Sequence, residues 1–286
     1  MVLNRDMAMK LEMVSKRVYV NTEGKTGGNV GIIVLDDFVV AVDSQYSVSG
    51  AEFRRSISDV TSKPVRYLLL THYHQDHVFG SWAFKDCKIV GQSSLKERVE
   101  ENLKTVWSKE NLPKLVEDAR VNRPEVAPLL EGLEVVVPNV TFEDRFTVDG
   151  VEMIHTGGHT SCSSIVYVPE DRVLFAGDLL FAKRFPWGGD HTADPDAWIK
   201  GFRKILKMDV RVVVPGHGPL SDKEEVRKQL DWFTAVRSKM NEMISKGASM
   251  EEVVGYSGYP SFYESDRPAW RASTLEHWYR KWSKLG

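Results

Sequence analysis

Cysteine is scarce in this chain. Two residues in 286, Cys87 and Cys162, show no CxxC spacing. That excludes a disulfide framework and reads as two reduced small hydrophobes. No apolar run approaches the ~20 residues needed to span a bilayer. The first seventeen residues mix Asn, Arg, Asp, Lys and Glu among their methionines, so a signal peptide's apolar centre is missing. Charge of one sign is missing too. Basic residues number 38 against 40 acidic, a formal net charge of −2, and no Lys/Arg run offers a phosphate-tracking face. These absences lead to the expectation of a cytoplasmic protein that acts on a small molecule, without membrane or nucleic-acid partners. A homo-oligomer stays open.

What is present is an ordinary globular composition, 42% hydrophobic and 27% charged, with length enough for a substantial core. No short-period repeat or low-complexity tract occurs. Val18–Val20, Val30–Leu35 and Phe38–Val42 read as strands, the last two joined at Asp36-Asp37 as a hairpin. A helical stretch near Ala51–Thr61 leads to Pro64 and a further strand, Val65–Leu70. Residues 93–131 are charged and helical, punctuated by three prolines, and fit either a solvated connection or a cover over a pocket. Strands are expected again at Leu133–Val137, Phe146–Val148, Val151–His155, Ser164–Val168, Arg172–Ala176 and Val210–Val214, with a helix over Asp196–Lys207. From Ser221 onward the pattern is mainly helical, with an aromatic loop at Tyr256–Ser265 and a last helix near Arg267–Lys284. Two runs of strands, each closed by helix, predict an α/β layered sandwich.

The chemistry concentrates in His72-Tyr73-His74-Gln75-Asp76-His77, directly after the Val65–Leu70 strand. Imidazole and carboxylate suit borderline cations such as Zn²⁺. Alternate positions on one short loop point different ways, so four such groups suit two neighbouring ions better than one. Three further ligand-type side chains sit beside glycine at strand ends: His159 in Gly157-Gly158-His159, Asp178 in Gly177-Asp178, and His217 in Gly216-His217-Gly218. Glycine allows the tight turns and close approaches such a position needs.

The HxHxDH run followed by His159, Asp178 and His217 resembles the metallo-β-lactamase superfamily over roughly residues 17 to 220. The resemblance implies a four-layer αβ/βα sandwich, with residues 1–220 as the catalytic domain. Residues 221–286 would form a helical C-terminal extension packed on the same domain. It also implies two divalent ions, Zn²⁺ in the first place with Fe or Mn as alternatives. His72, His74 and His159 would hold one; Asp76, His77 and His217 would hold the other; Asp178 would bridge them. Asp43, at the end of its strand, resembles the family's early aspartate that orients a ligand imidazole. One departure stands out: where the family commonly has GHTxG, this chain has Cys162 in place of the last glycine, read as a packing variant.

Two such ions share a water and make hydroxide available at neutral pH. The implied reaction is hydrolysis of an ester, thioester, lactone, β-lactam or phosphodiester by a metal-bridging hydroxide, with Asp76 as the catalytic group that moves the proton. The site does not separate glyoxalase-II-like thioesterases from lactonases. The competing class is a mono-iron oxidoreductase similar to persulfide dioxygenases. A diiron flavoprotein pattern, with glutamate at position 74, is not met. Among other candidates, His155 reads as structural or as a support behind a ligand, His191 as a pocket neighbour, and Phe185-Pro186-Trp187 as either a site wall or ordinary packing. Tyr256, Tyr259, Phe262 and Tyr263 read as pocket edge, oligomer contact or core.

Overall fold

The computed structural model describes residues 9–22, 27–263 and 268–283. Among them run strands β1 (Glu12–Met13), β2 (Val18–Asn21), β3 (Val30–Val34) and β4 (Val39–Val42), helix α1 (Ser47–Val60), β5 (Val65–Leu69), the short helix α2 (Gln75–Val78) and β6 (Lys88–Gln92). Helices α3 (Ser93–Lys104) and α4 (Leu112–Asn122) precede β7 (Val140–Phe142), β8 (Arg145–Val148), β9 (Val151–His155), β10 (Ser164–Val168) and β11 (Val173–Phe181). Helix α5 (Pro195–Lys207), β12 (Val212–His217) and helices α6 (Lys223–Ser245), α7 (Met250–Val254) and α8 (Pro268–Trp282) complete the order.

The strands form two sheets, one in the order β1-β2-β3-β4-β5-β6-β7 and the other β12-β11-β10-β9-β8. The two-residue side-chain period of a strand explains how they stack. In β4, Val40 and Val42 face the second sheet while Val39 and Ala41 face helices. In the second sheet, Val166, Phe175 and Val214 meet the first, whereas their neighbours Ile165, Leu174 and Val213 face the other way. The outer face of the first sheet packs on α1, α3 and α4 through Phe53, Leu95 and Ala119. That of the second packs on α5, α6 and α8 through Phe202, Phe233 and Trp278. The result is the expected four-layer αβ/βα sandwich. Strands covered on both faces read as continuous apolar runs, and all nine residues of β11 are buried.

Three expectations change. Leu133–Val137 forms no strand: its valines pack half-buried on the core, Pro138 then removes a ladder donor, and β7 takes the place beside β6. β11 runs on through Phe181 rather than ending at Ala176, so Asp178 lies inside a strand. Sheet strands β1, β6 and β7 lie outside the expected set. Ser265, Arg267 and Lys284, named in the expected C-terminal loop and helix, lie outside the described residues.

Candidate metal centre

All seven residues singled out in the sequence converge at one edge of the two sheets. His72 and His74 follow β5, and Asp76 and His77 occupy α2, whose short turn begins at His74. His159 sits in the turn after β9, and His217 closes β12. Asp178 is aimed by an irregularity in β11: the register against β12 shifts on both sides of Gly177, as bulges beside functional sites do. Gly177 has φ +51°, and a Cβ there would come 2.8 Å from that of Thr71. At Gly216 a Cβ would collide with Asp178 Oδ1. Both glycines are therefore required by the aspartate's position.

The donor atoms fall into two groups, His72/His74/His159/Asp178 and Asp76/His77/His217. In the first, His74 Nδ1 lies 3.1 Å from His72 Nε2 and 2.9 Å from His159 Nε2. Asp178 Oδ2 is 3.3 Å from His159 Nε2 and 3.7 Å from His72 Nε2. In the second, His217 Nε2 is 3.3 Å from Asp76 Oδ2, and Asp178 lies 3.4 Å from His217 and 3.2 Å from His77. Tetrahedral bonds of ~2.0–2.1 Å set ligand atoms ~3.3–3.4 Å apart, so both groups have the span of a coordination shell. Asp178 reaches both.

Outward hydrogen bonds fix which nitrogen faces inward. Thr71 Oγ1 donates to Asp43 Oδ2 (2.8 Å), so it accepts from His72 Nδ1 (3.1 Å). His77 Nδ1 donates to Asp43 Oδ2 at 2.9 Å, and Asp43 Oδ1 accepts from Thr71 N at 2.8 Å. His159 Nδ1 donates to the Trp187 carbonyl at 3.0 Å, and His74 Nε2 to Asp190 Oδ2 at 3.0 Å. Each ring thereby turns an unprotonated nitrogen toward its neighbours. Lone pairs 2.9–3.1 Å apart repel unless a cation lies between them. His77 Nε2 and Asp178 Oδ1, buried without a hydrogen-bond partner, are likewise groups that a cation would satisfy. The residues fit two divalent ions.

The electrostatics agree. Burial alone would raise the Asp178 carboxyl, but His217, His77, His72 and His159 hold it well below the usual range. Burial likewise opposes ionisation of Asp76, yet His77 and His217 bring it down to about 2. Burial lowers His72, with His77 adding to it, and takes His159 down to about 3 despite Asp178. His217 goes the other way, to about 9, because Asp178 and Asp76 outweigh its burial. His72 and His159 are thus neutral donors. At His77 burial is outweighed by Asp178, Asp43 and Asp76, which raise it well above its usual value, so that it and His217 each hold a proton that a dication would displace.

The chain belongs to the metallo-β-lactamase superfamily. The family model matches residues 24–217, more than half of the 286. Among curated relatives, a linear primary-alkylsulfatase of Pseudomonas sp. (strain ATCC 19151) is 27% identical over 255 residues, covering 78% of this chain and 47% of that protein. A type 2 metallo-β-lactamase of Bacillus sp. (strain 170) is 25% identical over 241 residues, covering 80% of this chain and 84% of that protein. A solved stereoselective inverting sec-alkylsulfatase of Pseudomonas sp. superposes with TM-score 0.73 at 20% identity, over 96% of this chain and 50% of that one. That last likeness is one of fold. The chain spans about half the length of several curated relatives it matches. Among the described residues, no helix is long and apolar enough to cross a membrane.

Within this superfamily member, sequence reasoning missed Asp190. Its carboxylate is buried and accepts from Tyr73 Oη and His74 Nε2 on one oxygen, and from Thr192 N (2.8 Å) and Oγ1 (2.6 Å) on the other. Burial notwithstanding, His74, Thr192 and Tyr73 keep it well below the usual carboxylate range. Its one sequence signal is a glycine-preceded loop in which His191 is the more conspicuous residue. His191 is 66% exposed and lines the cavity. His155 Nε2 donates to the Ser161 carbonyl (2.8 Å), outside both donor groups. Phe185 packs on Trp232 in the core, while Trp187 walls the site with its ring 5.3 Å from that of His74. Phe262 stacks on Trp232, Tyr263 Oη donates to Glu225 Oε2, and Tyr256 meets Tyr259 edge-on. The 93–131 segment covers the pocket: Asn102, Val106, Trp107, Arg123, Glu125 and Val126 line it.

Proposed function

We propose that this chain is a dinuclear metallohydrolase, with Zn²⁺ as its metal, that cleaves an ester-type bond in a small molecule. The observation that carries this reading is the pair of donor groups joined by Asp178, each with its lone pairs turned inward by outer hydrogen bonds. When bound, the two ions supply a hydroxide at neutral pH and polarise the bond under attack.

The protein's own part is to hold and to move. His72, His74 and His159 form a rigid three-nitrogen face. Asp76 and His77, adjacent on α2, set the second group at a fixed distance from it, and His217 completes that group. Asp76 turns Oδ2 toward His217 and His77 and also lines the cavity, so its carboxylate can accept a proton from the attacking water and pass it to the leaving group. Phe181 stacks on His217 at 5.2 Å and 17°, which together with Trp187 limits water around the reacting bond. We assign catalysis to residues 1–220, with 221–286 as an extension on the same body. In support, Phe233 of α6 and Trp278 of α8 share one core with Trp198 of α5 and Leu179 of β11.

The experiment is metal quantification on protein purified without added metal, followed by hydrolysis assays on carboxylic esters, thioesters, lactones, β-lactams, phosphodiesters and sulfate esters. Two zinc per chain with metal-dependent cleavage of one class is expected. One iron per chain with oxygen consumption on a persulfide replaces this reading with the dioxygenase.

A further inference from the structure

The cavity over the metal centre measures about 670 Å³. At ~30 Å³ per water-sized group it has room for on the order of 20 such groups, far more than one reacting bond needs. Its lining is mixed: Asn102, Arg123, Glu125, Arg184 and His191 contribute polar groups, while the apolar part comes from Phe181 on β11, Trp187 in the loop beyond, Trp270 on α8, and Val106, Trp107 and Val126 on the covering segment. This lining begins at the donor atoms. The Trp187 ring sits 5.3 Å from His74 and 5.9 Å from His159, its carbonyl accepts a hydrogen bond from His159 Nδ1, and on the side away from the histidines its ring neighbour is Trp270 at 6.4 Å. Trp107 packs edge-on to Phe79 at 5.0 Å, and Phe79 follows directly on the helix that carries Asp76 and His77. Both apolar walls are thus anchored on the elements that hold the donor groups. At the mouth, Val106 lines the cavity and is 56% exposed, so its side chain is accessible to a molecule lying there.

We propose that the substrate carries an extended apolar chain of roughly eight to twelve carbons. The chain lies in this cavity between the covering segment and α8, with its polar reacting bond at the histidines. This rests on the hydrolase reading, and names the part of the substrate that the reading leaves unspecified. Trp187 and Trp270 guide the chain away from the metal centre; Trp107 and Val126 close over it; Val106 receives its far end.

Two arms test it on the metal-loaded full chain. Straight-chain alcohols from 1-butanol to 1-decanol are titrated by tryptophan fluorescence and calorimetry, which requires no turnover. Affinity should rise roughly fourfold per methylene, with a negative heat-capacity change, through at least about the eighth carbon. The second arm measures kcat/KM on p-nitrophenyl acyl esters and primary alkyl sulfates of increasing length, where the same roughly fourfold step is expected for the class that is cleaved. Val106→Asp, an exposed substitution, should flatten the longest-chain end of both series while metal content and circular dichroism stay unchanged. Alcohol binding that ignores chain length overturns the proposal, and a Val106→Asp protein with the wild-type slope overturns the placement of the chain's end. Chain-length-dependent binding without cleavage of any ester supports the chain site while sinking the hydrolase reading.

Discussion

The two donor groups share Asp178 but are built to different standards. In the first, each imidazole is braced from behind: His72 through Thr71 to Asp43, His74 by Asp190, His159 by the Trp187 carbonyl. His72 and His159 are fully buried, and His74 is 17% exposed at the cavity. In the second, among the described residues only His77 has such a brace, again from Asp43. His217 relies on stacking with Phe181, and both it and Asp76 keep side chains 17% and 19% exposed at the cavity. Outer hydrogen bonds fix ring orientation and raise ligand basicity. On the dinuclear reading proposed above, the difference implies a tightly held first ion and a second one that exchanges more readily, next to the space where substrate would enter.

The sharpest way to break this comparison is to remove what the groups share. Asp178→Ala should lose both ions and cut activity on the order of 1000-fold or more, with circular dichroism largely retained; metal counting and steady-state rates check it. His217→Ala should separate the groups, keeping about one ion per chain and losing most activity. Equal loss of both ions in that protein would contradict the asymmetry.

Asp190→Asn keeps shape and removes charge, and should weaken the first ion roughly 10- to 100-fold, measured by competition with a chelating dye. A pH effect accompanies it. The Asp190 carboxyl is held below its unfolded value of ~3.9, so its contribution to folding is full above that pH. The contribution is lost only as pH falls through the lower folded value, and the Asn variant should show a flatter acid limb in its stability curve. The smallest effect is expected at Cys162, whose buried Sγ touches Thr160 Oγ1 at 3.3 Å outside both groups. Its thiol is pushed up to about 12 by burial. Cys162→Ala should leave metal content unchanged and cost about 1 kcal/mol in denaturant unfolding.

The residues that converge at the candidate site were legible in the sequence because each sits beside an apolar run or a glycine, signals that are local. The braces were not. Asp190 acts on His74 across 116 residues of chain, and nothing in Gly188-Gly189-Asp190 announces a partner that far away. Asp43 was reachable only through the resemblance. The fold shows the same division. β3, β4, β5 and β9 follow from apolar pattern, but such a pattern misleads when no strand edge is free to pair. The Leu133–Val137 run has the composition of a strand and no sheet neighbour. β6 has only Ile89-Val90 as its apolar centre, between Lys88 and Gly91-Gln92, so its pattern does not stand out, yet it lies between β5 and β7 in its sheet.

The most direct test is a chelator titration of the fully loaded protein, following metal release and activity together in wild type and His217→Ala. Two phases of one ion each are expected, with activity lost in the first and that first phase missing from the variant. Release of both ions in a single concerted phase, or a total of one ion per chain, would contradict the account of two joined sites with unequal grip.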